Sequence, residues 1–122
     1  MPRPLWPLLS LLAIGACATL PKEPRPDAMA RLGETTRVGA FRVQPLSVEE
    51  DSRCPENARC IQAGRLIVRT AITDHGRRIV RDLELGKPDV SGLVLDGAEP
   101  GRLAGKTILP AAWRFHWSQV RP

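Results

Sequence analysis

The sequence predicts an all-β domain over residues 31–122, a small antiparallel β-sandwich with a small β-barrel as the alternative closure. Apolar residues recur there with a period near two, as in half-buried strands. Turn signals separate the apolar runs: Asp74-His75-Gly76, Gly86-Lys87-Pro88-Asp89, Asp96-Gly97 and Pro100-Gly101. No window carries a competing amphipathic helix, and residues 98–106 are too rich in Gly and Pro for one.

The elements follow in order. Phe41 and Val43 alternate, Pro45 interrupts, and Leu46 and Val48 resume out of phase, which predicts a strand at an edge or with a bulge. Leu66, Val68, Thr70 and Ile72 share one face of the next strand; Ile79, Leu83 and Leu85 share one face of its successor. A two-residue turn at His75-Gly76 sets Ile72 opposite Ile79, Val68 opposite Leu83 and Leu66 opposite Leu85. Arg69 then meets Asp82 on the other face, and a slip by one residue would mismatch both faces. Arg81 falls on the apolar face opposite Thr70, as an edge strand tolerates. Leu93 and Leu95 make a short strand.

Trp113, Phe115 and Trp117 alternate in the last strand and are read as its core face, opposite Phe41 and the Leu66–Ile72 row. The competing reading makes the aromatic row an exposed platform for sugar rings or a partner. Arg114, His116 and Ser118 point the other way.

Size and composition set the bounds. A chain of 122 residues has room for one small domain; 43% hydrophobic and 25% charged residues exclude wholesale disorder. It has only one apolar run, and a short one, which excludes a polytopic membrane protein. That run, Leu5–Gly15, spans eleven residues behind Arg3, too short for a lasting span of about 20 residues, and reads as a signal peptide over residues 1–16.

The run ends in Ile14-Gly15-Ala16-Cys17, which resembles the lipobox of bacterial lipoproteins. The resemblance implies cleavage before Cys17, lipidation of its thiol and a mature chain of 106 residues anchored to a membrane. Ala18 rather than Asp in the next position implies the outer membrane in a Gram-negative host, on its periplasmic face. The alternative is an ordinary signal cut near Ala16 or Ala18. Residues 17–30, with Pro21, Pro24 and Pro26, read as a semi-extended tether. Export disfavours a nucleic-acid partner, and the mature excess of 17 basic over 13 acidic residues is scattered, not blocked.

With Cys17 assigned to lipid, Cys54 and Cys60 remain as an even pair in an oxidising compartment, which points to a structural disulfide. Closing so short a loop contributes about 2 kcal/mol, enough to pin the loop but not to staple the fold. The alternatives are a metal site, for which only His75 and His116 are at hand, and a redox pair, for which C-x-x-C is the usual spacing.

Asp51, Ser52, Arg53, Cys54, Pro55, Cys60, Ala63 and Gly64 form an S-R-C-P…C…A-G pattern that resembles a group of small exported bacterial proteins of unknown function. The final Trp113-Arg114-Phe115 is similar to that group as well. Gln62 stands where the group often has an aromatic. The resemblance implies a β-sandwich with a disulfide and no particular activity. Asp51, Ser52, Arg53, Pro55, Gln62 and Gly64 are the candidate partner-binding loop.

No serine sits in a nucleophile motif, no Gly-rich phosphate loop is present, and Glu49, Glu50 and Asp51 match no calcium-loop spacing. No cofactor and no metal are expected. The expectation is a non-enzymatic, lipid-anchored envelope domain that binds or scaffolds a protein or glycan partner. The alternative is an inhibitor of an enzyme acting on envelope polymers or, less favoured, such an enzyme. Replacing Cys17 by Ser should abolish metabolic labelling with radioactive palmitate; persistent labelling would refute the lipobox reading.

Overall fold

A computed structural model describes residues 23–120, together with Pro2, Pro4 and Gly15. The rest of the signal peptide and Cys17 lie outside the described residues. Two antiparallel sheets face each other without closing into a barrel, which makes the domain a small β-sandwich. One sheet has the order β2-β3-β4-β5, made of Thr36–Val38, Phe41–Asp51, Leu66–Asp74 and Arg77–Glu84. The other has the order β1-β7-β6, made of Met29–Ala30, Arg114–Gln119 and Leu93–Glu99.

The β4–β5 hairpin has the expected register. Ile72 pairs with Ile79, Val68 with Leu83, Arg69 with Asp82 and Thr70 with Arg81. The turn explains the precision: His75 and Gly76 both take positive φ, at 48° and 78°, the twist that matches the flanking strands. Arg81 points inward as anticipated, and Asp89 meets its guanidinium at 3.3 Å from the β5–β6 connection. Ile79 departs from its expected place in the core. It is 39% exposed, because β5 is an outer strand of four and the facing sheet has only three.

Pro45 marks a bulge, as expected, but not an edge. β3 is a central strand and Pro45 is fully buried opposite Thr70. The ladder skips a residue between Pro45 and Ser47, so the missing N–H falls where pairing is already interrupted. A second skip follows between Val48 and Glu50. Asp96-Gly97, expected as a turn, instead forms a bulge inside β6, between Leu95 and Gly97. Its extra residue, Asp96, swings out of the ladder.

The chain joins the domain earlier than the tether boundary at residue 30 suggests. The Arg25 N–H donates to the Thr35 carbonyl at 2.9 Å, and the Arg25 carbonyl accepts the Arg37 N–H at 2.7 Å. Met29 and Ala30 pair with His116 and Phe115, and Ala30 is buried. A strand of two residues has no periodicity to announce it.

Between the sheets lies one core. Trp113, Phe115 and Trp117 are buried, with ring centroids 5.5 Å and 6.0 Å apart along the row. Val43, Leu66, Val68, Ile72, Leu83 and Phe41 belong to the same cluster. The aromatic row is therefore core, not platform. Trp117 Nε1–H is buried without a partner among the described residues, which costs about 1–3 kcal/mol against a larger gain from burying the ring. Every described member of the core cluster lies between Ala28 and Trp117, so one segment contains all the packing seen among the described residues.

Residues 23–122 produced alone should thus unfold in one cooperative step, with tryptophan emission blue-shifted before it and red-shifted after. Phe115→Ala should lower the unfolding free energy by about 3–5 kcal/mol in urea titrations. Native emission already at the position of free tryptophan would overturn the core assignment.

Candidate functional site

Between β3 and β4 the chain leaves the sheet as a loop, residues 52–65, at one end of the sandwich. Cys54 and Cys60 are disulfide-bonded with Cα atoms 5.8 Å apart. The two limbs of the loop keep pairing beyond the strands. The Ser52 N–H donates to the Arg65 carbonyl at 2.8 Å, the Arg65 N–H donates to Ser52 Oγ at 3.0 Å, and the Cys54 N–H donates to the Ala63 carbonyl at 2.9 Å. Between these rungs Gly64 crosses close to Ser52. Its φ is 68°, and a Cβ there would lie well inside contact distance of the Ser52 backbone carbonyl.

Arg53 ties the loop to the other sheet. Its Nε and Nη2 donate to the two Asp51 carboxylate oxygens at 2.8 Å and 3.0 Å, with both side chains about five-sixths buried. The same guanidinium lies over the Trp113 ring, 5.3 Å from its centroid, and donates to the Pro100 carbonyl at 3.3 Å. Burial works against the Asp51 carboxylate, but the bonds from Arg53 outweigh it and hold the pKa below its ordinary value. Ionised Asp51 thus contributes stability above the unfolded-chain pKa, and that contribution fades as pH falls through the folded value.

The long β6–β7 connection completes this end. Arg102 Nη1 donates to the Arg53 carbonyl at 2.8 Å, the Glu56 N–H donates to the Arg102 carbonyl at 2.8 Å, and the Ala104 N–H donates to Asn57 Oδ1 at 2.9 Å. Val48, Asp51, Arg102, Lys106, Ile108 and Trp113 line an open cleft of about 260 Å³ between the two connections.

The candidate loop residues therefore divide. Asp51, Ser52, Arg53 and Gly64 are occupied in bracing, and Pro55 is half-buried beside them. Gln62 is exposed at the tip, next to a residue the sequence reading missed: Ile61, which is completely exposed. A lone aliphatic residue in a polar loop was the available signal. Arg102 was missed too, because its partner lies 49 residues away.

Elsewhere the polar chemistry is sparse. His75 sits exposed in the hairpin turn with Nδ1 3.0 Å from Asp74. His116 Nδ1 is hydrogen-bonded to the bulge residue Asp96 on the outer face of the three-stranded sheet, and no hydroxyl or thiol bonds its ring among the described residues. Among those residues no group of three His, Cys, Asp or Glu is placed to hold a metal, and no helix is long and apolar enough to cross a membrane. No family model, curated protein or solved structure matches the chain.

Two glycines with similar φ separate bracing from mere turn geometry. Gly64→Ala should cost about 2–4 kcal/mol of unfolding free energy, since strain and a backbone clash add. Gly76→Ala, where a Cβ meets open space, should cost only about 1 kcal/mol. Equal losses in urea titrations would show that the close crossing at Ser52 does not brace the loop.

Proposed function

We propose that this protein is a lipid-anchored, non-enzymatic domain of the bacterial cell envelope, and that it binds a protein or glycan partner through the tip of the 51–64 loop. The carrying observation is the division of labour within that loop. Asp51 and Arg53 hold the loop to the sandwich and Ser52 and Gly64 hold its two limbs together, while Ile61 and Gln62 extend into solvent. Ile61 and Gln62 lie between Cys60, bridged to Cys54, and Ala63, whose carbonyl accepts the Cys54 N–H, so this stretch loses little further entropy when a partner covers it. An apolar residue at its tip supplies the anchor that interface centres use.

The address supports the same reading. Ile14-Gly15-Ala16-Cys17 resembles a lipobox, and the Cys54–Cys60 bridge suits the oxidising space outside the cytoplasm. In a Gram-negative host the anchor would be the periplasmic face of the outer membrane. The second reading is inhibition: the same loop would enter the cleft of an enzyme that degrades envelope polymers.

A photo-reactive amino acid at position 62, introduced in living cells, should give a discrete crosslinked adduct that the same probe at Lys87 does not. Mass spectrometry of the adduct identifies the partner. Replacing Cys54 and Cys60 by Ser should weaken the adduct without abolishing the fold's β-type circular dichroism. No adduct from positions 61 and 62 would exclude the tip as the contact. A captured lytic enzyme that is slowed by the purified protein would establish the inhibitor reading instead.

A further inference from the structure

The outer face of the four-stranded sheet carries its charges unevenly. Toward the loop end, Arg69 is matched by Asp82 at 3.1 Å and by Glu49 at 3.6 Å. Toward the hairpin end, strand register aligns Arg37 with Arg42, Arg42 with Thr73, and Thr73 with Arg78. Directly paired residues project from the same face, so three arginines form one row across all four strands, about 14 Å at the usual strand spacing. All three are exposed. None of them has an acidic side chain at ion-pair distance among the described residues. Arg37 and Arg42 face each other directly, a like-charge pairing that disfavours the sheet unless an anion lies across it.

The row also lies where the chain enters the domain. The Arg37 N–H is bonded to the Arg25 carbonyl, and Arg25 is eight residues beyond Cys17. Eight residues reach at most about 28 Å, so an anchor at Cys17 keeps this face within reach of the bilayer surface.

We propose that the Arg37–Arg42–Arg78 row docks on the anionic phospholipid headgroups of the membrane to which the chain is anchored. The placement rests on the lipid-anchor reading; the chemistry of the row does not. Guanidinium groups pair with phosphate oxygens in a planar, bidentate fashion, and a flat sheet face presents them together to a flat surface. One lipid attachment combined with a basic patch is the two-signal arrangement that fixes a domain's orientation on a bilayer. The partner loop, built on the β3–β4 connection, is then directed by the sheet and not by a swivelling tether.

The test uses residues 23–122, which lack Cys17, so its outcome is independent of palmitate labelling. Vesicles of equimolar phosphatidylcholine and phosphatidylglycerol should sediment the domain, and pure phosphatidylcholine vesicles should not. Combined Arg37→Gln, Arg42→Gln and Arg78→Gln should lower the partition coefficient by about a hundredfold. The same variant should melt at the same or a higher temperature, since the facing like charges are gone. Arg69→Gln should leave partitioning within about twofold, because Arg69 is already paired. Wild-type domain that ignores anionic vesicles, or a triple variant that partitions as wild type does, would overturn the proposal. Retention on immobilised polyglutamate without vesicle binding would also overturn it, and would assign the row to an acidic protein.

Discussion

Three large side chains spaced two apart, Phe115 and Trp117 on β7 and Trp113 just ahead of it, have to be covered on one side, and the rest of the sandwich is arranged to cover them. Trp113, Phe115 and Trp117 supply most of the aromatic mass available to this domain, and β7 is the central strand of its sheet, flanked by β1 and β6. The facing strands β3 and β4 answer with Val43, Leu66 and Val68, all fully buried. Deleting any aromatic would leave a void that backbone hydrogen bonding cannot close, because interiors are packed to near-crystal density.

The same row reaches into the candidate site. Trp113 ends the aromatic stack and is also the surface on which the Arg53 guanidinium rests. Core packing and loop bracing thus share a side chain. Arg53 links three parts of the chain that are remote in sequence: Asp51 at the end of β3, the Pro100 carbonyl and the Trp113 ring. The disulfide acts only within the loop, across six positions, whereas Arg53 sets where the loop stands relative to the sandwich.

What was legible from sequence depended on how local its cause was. The β4–β5 register could be written down beforehand because turn chemistry and face alternation constrain the same hairpin. Pro45 was half legible: the broken phase signals a bulge, but only the pairing of both neighbours shows that β3 is central. Asp-Gly is chemically suited to a turn and to a bulge alike, and tertiary pairing with β7 selected the bulge. Strands β1 and β2, of two and three residues, were invisible to periodicity. Without β2 the facing of Arg37 and Arg42 could not be seen. In the loop, the cysteines were legible by count, but which neighbours brace and which are displayed depended on Pro100, Arg102 and Trp113, some 40 to 60 residues downstream.

The bulges bear on how this chain can change in length. Within a regular strand, gaining or losing one residue flips every later side chain to the opposite face. At Leu46, Glu49 and Asp96 the ladder already passes over one residue, so the flanking pairs stay aligned whether that residue is present or absent. Two of the three have been put to use, Glu49 beside Arg69 and Asp96 on His116. These skips are the joints at which the sandwich can absorb an insertion or a deletion without turning its core outward.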